Sequence, residues 1–214
     1  MNATLPPITH LLYLHGFRSS PQSTKAQMTR RWVDTHAPHL HWWCPALPIS
    51  PQAASELIEK QTANWPSLTM AVIGSSLGGF YATWLAQRRG CRAVVINPSV
   101  QPAHSLARHI GTHPMWHDPS QQFNFDPCHV DELSQLQRDL HYTPLANPHQ
   151  GWQPGALSHP ERLLAVLGTD DEVLSFADMQ ARYAECPQRI VPGGDHALGN
   201  FDELLPEVMA FLGL

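Results

Sequence analysis

The chain has 214 residues, of which 43% are hydrophobic and only 14% are charged, with a formal net charge of −5. This length suits one folded domain, and the frequent apolar runs exclude an intrinsically disordered protein. The charge pattern has no basic stripe that would indicate a nucleic-acid partner, and no apolar run approaches the length of a membrane span.

Two features predict a soluble, cytoplasmic protein. The opening residues, "MNATLPPITHLLYLHGF", lack the basic, apolar and small-residue regions of a signal peptide. The four cysteines lie far apart and form no C-x-x-C pair. We therefore expect reduced thiols rather than disulfides or a zinc site.

Apolar runs alternate with helical patterns along the chain. Strands are predicted at residues 9–14, 39–44, 68–74, 92–97, 162–168 and 188–192. Helices are predicted at residues 24–35, 51–63, 77–89, 129–139, 175–185 and 201–212. This alternation is typical of an α/β fold, with about six mainly parallel strands and helices on both faces. Such a sheet carries its functional sites at the carboxyl ends of its strands.

Residues 101–161 break this alternation, because they are rich in Pro, His and Gln and contain one convincing helix. A connection of this length is rarely bare loop inside a compact domain. It lies between the fourth and fifth predicted strands, so it is either a lid over the strand ends or a surface excursion without a substrate role. Residues 1–214 are expected to form a single domain that includes this insertion.

The sequence "GSSLG" at residues 74–78 fits G-x-S-x-G, between a predicted strand and a predicted helix. This motif holds a serine on a tight, strained turn, which predicts Ser76 as a nucleophile. Gly74 and Gly78 are expected because residues two positions away approach the turn too closely for a Cβ. At the helix N-terminus, the N–H of Leu77 would face a developing oxyanion. The alternative is a turn that uses small residues only for tight packing.

A serine nucleophile requires a base and an orienting acid, which follow it in the order acid, then histidine. His196, in "GGDHALGNF" after the sixth strand, is the predicted base. The fifth strand ends in "LGTDDEVL", which offers Asp170 and Asp171. We predict Asp171, because the chain has left the strand there and can reach the histidine loop; Asp170 remains an alternative. The acid would orient the imidazole and stabilise the imidazolium.

A second oxyanion donor is predicted in "LHGF", which follows the first strand. Gly16 permits a backbone turn that aims the Phe17 N–H inward, and one such donor is typically worth about 10²–10³ in kcat. The alternative is a strand-ending turn without a catalytic role.

Joined in this order, the segments resemble the α/β-hydrolase superfamily, and more narrowly the small bacterial YqiA/YcfP-like esterases. The shared stretches are "YLHGFRSSPQSTKA", "GSSLGGFYATWLA", "NPSVQP", "GTDDEVL", "GGDHALGNFD" and "FLGL". The resemblance implies a triad of Ser76, Asp171 and His196, with backbone donors at Phe17 and Leu77. It also implies esterase activity on short acyl esters or thioesters, without metal or cofactor, in a compact fold that lacks the usual leading strands.

Some features of the sequence are also compatible with other functions. Four histidines are spaced by five, four and four residues, namely His104, His109, His113 and His117. Because H-E-x-x-H is absent and Pro114 interrupts any helix that would align them, no metal site is predicted. A non-catalytic binding module would use the adjacent Trp42 and Trp43 as a recognition surface. Within the fold, the same triad also serves thioesterases, peptidases and carbon–carbon bond hydrolases.

Overall fold

The computed structural model describes residues 6–144 and 152–214, which contain a central parallel sheet between two helical layers. The strands are β1 His10–Leu14, β2 His41–Trp43, β3 Met70–Ser75, β4 Arg92–Ile96, β5 Gly111–Pro114, β6 Gln122–Phe125, β7 Thr143–Pro144, β8 Trp152–Gln153, β9 Leu163–Gly168 and β10 Gln188–Val191. The helices are α1 Thr24–His36, α2 Pro51–Thr62, α3 Leu77–Arg89, α4 Pro102–Leu106, α5 Pro127–Asp139, α6 Phe176–Arg182 and α7 Phe201–Leu212.

Six of these strands form the central sheet, in the order β10-β9-β4-β3-β1-β2. Every neighbouring pair in that sheet is parallel, so the carboxyl ends of all six strands lie at one edge. The predicted fold class, an α/β sheet of about six parallel strands with helices on both faces, is confirmed.

The two faces of the sheet are covered by different helices. On β1, Leu12 and Leu14 pack into the layer of α2, α3, α5 and α6, whereas Leu11 and Tyr13 pack against α1 and α7. Burial on both faces explains why the strands are continuous apolar runs. The same alternation sends the side chains of Trp42 and Trp43 to opposite layers, where both are half-buried. These two rings therefore do not form one shared recognition surface.

The segment 101–161 contains more structure than its sequence indicates, and its residues 145–151 lie outside the described ranges. Besides α5, it holds the short helix α4 and two antiparallel hairpins, β5–β6 and β7–β8. Helix α5 starts at Pro127, two residues before the predicted position, since proline is favoured in the first helical turn. A helix of five residues and strands of two residues are too short to show a hydrophobic period.

The β5–β6 hairpin packs on the loop that follows β1. The ring of Phe17 lies 5.6 Å from that of Phe123 and 5.1 Å from that of Phe125, in edge-to-face contacts. Beside it, Arg18 Nε donates to Pro114 O (3.1 Å), and the Arg18 guanidinium lies 4.0 Å above the Trp116 ring. The hairpin therefore covers part of the edge where the parallel strands end.

All four cysteines, namely Cys44, Cys91, Cys128 and Cys186, are free. Burial raises the pKa of the Cys44 and Cys91 thiols to about 12 and that of Cys186 to about 11, so these three are protonated at neutral pH. Among the described helices, none combines the length and the apolar character needed to cross a bilayer.

Candidate active site

Ser76 occupies a strained turn between β3 and α3. Its φ of 56° and ψ of −122° lie in a region that residues with a side chain rarely adopt. The turn is anchored on both sides, because Ser76 N–H donates to Ile96 O (3.0 Å) and Ser99 N–H donates to Ser76 O (3.0 Å). The last residue of β4 and the loop after it thus hold the backbone of Ser76 in its unusual conformation.

The glycines around the turn leave no room for a side chain. A Cβ on Gly74 would lie 2.1 Å from Gly78 O, and a Cβ on Gly78 would lie 2.0 Å from Leu14 O. Gly79, which was not singled out in the sequence, would place a Cβ 2.7 Å from the Cβ of Pro98. Helix α3 therefore approaches β1 and β3 backbone to backbone, and it packs closely on Pro98 in the loop after β4.

Three of the predicted side chains meet at the carboxyl edge of the sheet. His196 Nε2 lies 3.1 Å from Ser76 Oγ, and His196 Nδ1 lies 2.8 Å from Asp171 Oδ2. With the proton on Nδ1, the imidazole donates to Asp171, and Nε2 is left to accept the Ser76 hydroxyl proton. The Asp171 carboxylate is fully buried, whereas His196 remains 23% exposed.

Between the two candidate acids, Asp171 is the one in contact with the imidazole. Its second oxygen, Oδ1, accepts the N–H groups of Val173 and Leu174, both at 2.8 Å, which fixes the carboxylate plane. Asp170 instead accepts the Thr169 hydroxyl at 2.8 Å. The geometry therefore offers Asp171 for the predicted role, and that role stays a prediction.

The predicted oxyanion donors flank the serine. A Cβ on Gly16 would lie 3.5 Å from Ser76 Oγ, so the loop carrying Phe17 passes beside the hydroxyl. Leu77 is the first residue of α3, where backbone N–H groups have no partner within the helix. Within residues 6–144 and 152–214, neither the Phe17 nor the Leu77 N–H donates to a protein acceptor. Both are free to bind an oxygen of a substrate.

Two charged side chains that the sequence did not single out hold the histidine loop. Glu172 Oε2 accepts the backbone N–H of His196 at 3.0 Å, and Lys25 Nζ donates to Ala197 O. Burial lowers the pKa of Lys25, and the negative charges of Asp195 and Asp171 oppose that shift. A position next to the predicted acid was the only sequence signal for Glu172, and Lys25 had none.

A cavity of about 310 Å³ contains Ser76 and His196. Its wall includes aromatic, hydroxyl-bearing and charged side chains, among them Phe17, Trp116, Ser19, Ser23, Thr24, Lys25 and Glu172. Trp116 lines this cavity and is 68% exposed, so it lies where the cavity opens to solvent. A cavity of about 400 Å³ lies between α4 and the residues before α6, and Ser76 does not line it. The first cavity is therefore the one in which a ligand could reach the hydroxyl.

His15, next to the oxyanion loop, is buried with only 4% of its surface exposed. Its Nδ1 donates to Gly16 O (3.1 Å), and its Nε2 accepts the Leu47 N–H (3.2 Å). Burial lowers the pKa of His15 below its usual 6.5. Protonation would turn Nε2 into a donor facing another donor, so the folded chain holds the neutral ring.

This burial predicts a loss of stability in mild acid. The unfolded chain binds a proton at His15 near pH 6.5, and the folded chain does so only at lower pH, so the free energy of unfolding falls as pH drops through that window. A loss of about 1 kcal/mol lowers the Tm of a domain of this size by roughly 2–4 °C. We expect Tm to fall less between pH 7 and pH 5 in His15→Gln than in the wild type or the exposed-site control His39→Gln. Equal pH slopes in all three proteins would contradict this assignment.

Ligand atoms of one triplet, Cys128, His129 and Glu132, lie within 4.8 Å of one another in the described part of the chain. The four histidines considered in the sequence are not part of it. Two of its members already hold helix α5 in place: His129 Nδ1 accepts the Asp126 N–H at 3.0 Å, and Glu132 Oε2 accepts the Ser50 hydroxyl at 2.7 Å. These bonds account for the proximity of the side chains without an ion.

The strand order, the strained serine turn and the loops that follow β9 and β10 define the α/β-hydrolase fold. The model of one family, described as uncharacterised protein family UPF0227, matches residues 10–213. The chain belongs to this family, the YqiA/YcfP family, which confirms the resemblance drawn from its motifs.

Solved structures that share this fold include enzymes with esterase names. One is Est1E from Butyrivibrio proteoclasticus, solved with ferulic acid bound. The match covers 97% of this chain and 88% of Est1E, at 12% identity and a TM-score of 0.65. The match to the esterase domain of a Rhodothermus marinus protein covers 95% of this chain and 85% of that domain, at 18% identity and a TM-score of 0.59. The match to mouse alpha/beta hydrolase domain-containing protein 10 covers 95% of this chain and 90% of the mouse protein, at 10% identity and a TM-score of 0.63. At these identities the likeness establishes the fold.

Proposed function

We propose that the protein is a serine esterase that cleaves short-chain carboxylic esters through an acyl-enzyme on Ser76, without metal or cofactor. The observation that carries this proposal is the chain of contacts from Ser76 Oγ to His196 Nε2 (3.1 Å) and from His196 Nδ1 to Asp171 Oδ2 (2.8 Å). The esterases among the structural neighbours support the same class of reaction.

In the proposed reaction, Ser76 Oγ attacks the ester carbonyl carbon while its proton passes to His196 Nε2. The carbonyl electrons move onto oxygen, and the N–H groups of Phe17 and Leu77 bind the resulting oxyanion. The imidazolium, held by Asp171, then protonates the leaving alkoxide as its C–O bond breaks. Water then attacks the acyl carbon while His196 takes its proton. The bond from the acyl carbon to Ser76 Oγ breaks, the imidazolium returns the proton to Oγ, and the carboxylic acid leaves.

Two alternatives differ from this proposal in separate ways. A thioesterase would use the same groups, because a thiolate leaving group can accept the same proton from His196. A binding module would have no need for Ser76 at a φ of 56°, a conformation that costs of order 1–3 kcal/mol. The strained backbone therefore favours catalysis over binding alone.

We also propose that residues 101–161 form a cap over the site within one domain. The β5–β6 hairpin supports this role, since Phe123 and Phe125 pack on Phe17, whose N–H is a proposed oxyanion donor. Trp116, in the connection between these strands, lines the cavity that contains Ser76. Contacts at the site thus come from the insertion as well as from the sheet.

The proposal is tested with a fluorophosphonate probe, which reacts with activated serines. We expect one label on the wild-type protein, located at Ser76 by peptide mass spectrometry. Ser76→Ala should not be labelled, whereas Ser75→Ala, the neighbouring serine, should be. An unlabelled wild type, or a Ser76→Ala protein that still reacts, would overturn the proposal.

Rates on p-nitrophenyl esters and matched acyl thioesters of increasing chain length then separate the two leaving groups. We expect the highest kcat/KM on short acyl esters. Faster turnover of thioesters of the same acyl chain would assign the protein as a thioesterase instead.

A further inference from the structure

Asn97 lies within the short segment that anchors the nucleophile. Ile96, the last residue of β4, and Ser99 both bind the backbone of Ser76, and Asn97 lies between them in the chain. Asn97 itself is fully buried and has a φ of 40°, a left-handed value that asparagine adopts more readily than most residues. Its side chain reaches the two loops that carry Asp171 and His196.

The Asn97 carboxamide joins those two loops. Its Oδ1 accepts the N–H of Gly168, the last residue of β9, at 2.7 Å. Its Nδ2 donates to Asp195 O at 2.9 Å and to His196 O at 3.3 Å. The acid loop and the histidine loop are therefore both bound to the strand end that holds Ser76.

We propose that Asn97 is a positioning residue that sets the distance between the Ser76 hydroxyl and the His196 imidazole. It acts by fixing the histidine loop through two backbone carbonyls and the acid loop through one backbone N–H. This inference rests on the proposed function, because its kinetic effect requires His196 to act as the base. Asn97 does not touch the reacting atoms, so its effect should fall on kcat rather than on KM.

The chemistry of the site favours an amide over related side chains. The side chain at position 97 must offer an acceptor to the Gly168 N–H and, on its other side, a donor to the Asp195 and His196 carbonyls. Aspartate offers only acceptors when ionised and would face two carbonyl oxygens. A buried polar group left without its partner is destabilising, and the histidine loop can relieve this by moving.

The kinetic test compares Asn97→Gly and Asn97→Asp with the wild type on p-nitrophenyl acetate. Glycine keeps the left-handed backbone and removes the carboxamide, whereas aspartate keeps the shape and removes the donor. A displacement of the base by about 1 Å is worth roughly 100-fold in rate, so we expect kcat to fall about 100-fold in both variants with KM little changed. Should Asn97→Gly fail to fold, Asn97→Asp carries the same comparison.

The matched control is Arg92→Met, at the opposite end of the same strand. Arg92 is also buried and bridges distant carbonyls, with Nη1 on Leu212 O (2.6 Å) and Nη2 on Pro6 O (2.7 Å). We expect its loss to lower Tm while kcat stays at the wild-type value. A fall in kcat for both Arg92→Met and Asn97→Gly, in proportion to their loss of Tm, would reduce Asn97 to a structural role.

A spectroscopic measurement tests the position of His196 without requiring turnover. The proton between His196 Nδ1 and Asp171 should give a low-field ¹H NMR resonance in the wild type and in Arg92→Met. We expect it to broaden or vanish in Asn97→Gly and Asn97→Asp, because the loop no longer holds the imidazole. An unchanged resonance together with wild-type kcat would overturn the proposal. An unlabelled wild type in the fluorophosphonate experiment would refute the proposed function, and the resonance would still decide the role of Asn97.

Discussion

Replacing His196 by alanine is expected to lower kcat for p-nitrophenyl acetate by about 10⁶-fold, since the base and the nucleophile of such a site act as a unit. Without the imidazole, 3.1 Å from Ser76 Oγ, nothing removes the hydroxyl proton as the carbonyl is attacked. Removing the ring also leaves the fully buried Asp171 carboxylate without this partner, so we expect the Tm to fall as well, and rates are compared well below the Tm of the variant. Initial rates and thermal unfolding of the same preparation provide the measurement.

Two further variants grade this effect. Asp171→Asn, which favours the wrong tautomer of the imidazole, should lower kcat by roughly 10⁴-fold. Asp170→Asn and the exposed-site control His39→Ala should remain close to the wild type. If Asp170→Asn lost as much activity as Asp171→Asn, the assignment of the acid would be wrong. A His196→Ala protein with ordinary turnover would reject the proposed base.

Gly78→Ala is expected to have the largest effect on stability. The new Cβ would lie 2.0 Å from Leu14 O, and the clash is with the backbone of β1 rather than with a flexible side chain. Overpacking that side chains can absorb costs about 1–3 kcal/mol, so a backbone clash should lower the free energy of unfolding by more than roughly 3 kcal/mol. Relief of the clash requires α3 to move, which would also displace Ser76.

Urea denaturation followed by circular dichroism measures this loss. The matched control is Gly199→Ala, whose Cβ would meet nothing within 4 Å and should leave stability nearly unchanged. A Gly78→Ala protein as stable as Gly199→Ala would show that the close approach of α3 to β1 is not required for the fold.

The sheet could be predicted from the sequence because its strands are buried on both faces. An apolar run such as residues 68–74 needs no long-range information, and β3 is found at Met70–Ser75. Strand β2, predicted over 39–44, forms only at His41–Trp43, since it is an edge strand with β1 as its one partner. The β5–β6 hairpin was not predicted, because contacts with Phe17 and Arg18 rather than local periodicity stabilise it. The β7–β8 pair was missed because strands of two residues show no periodicity.

Most residues of the candidate site could be named from the sequence, and the reason is the topology of the sheet. Parallel strands bring their carboxyl ends to one edge, so residues that follow β3, β9 and β10 are neighbours whatever their separation along the chain. Asn97 was missed because its partners are backbone carbonyls up to 99 residues away, and a carbonyl leaves no trace in the sequence. The lysine that holds Ala197 was missed for the same reason.

The uneven placement of the site across the sheet has a thermal consequence. Ser76 follows β3, which is paired on both sides, whereas His196 follows β10, an edge strand of four residues with a single partner. Segments with fewer neighbours open at lower free energy than the centre of a fold. Local opening of this edge strand would separate the imidazole from the serine hydroxyl while the centre of the sheet stayed folded. Catalytic activity should therefore be lost on heating at a temperature below the global Tm.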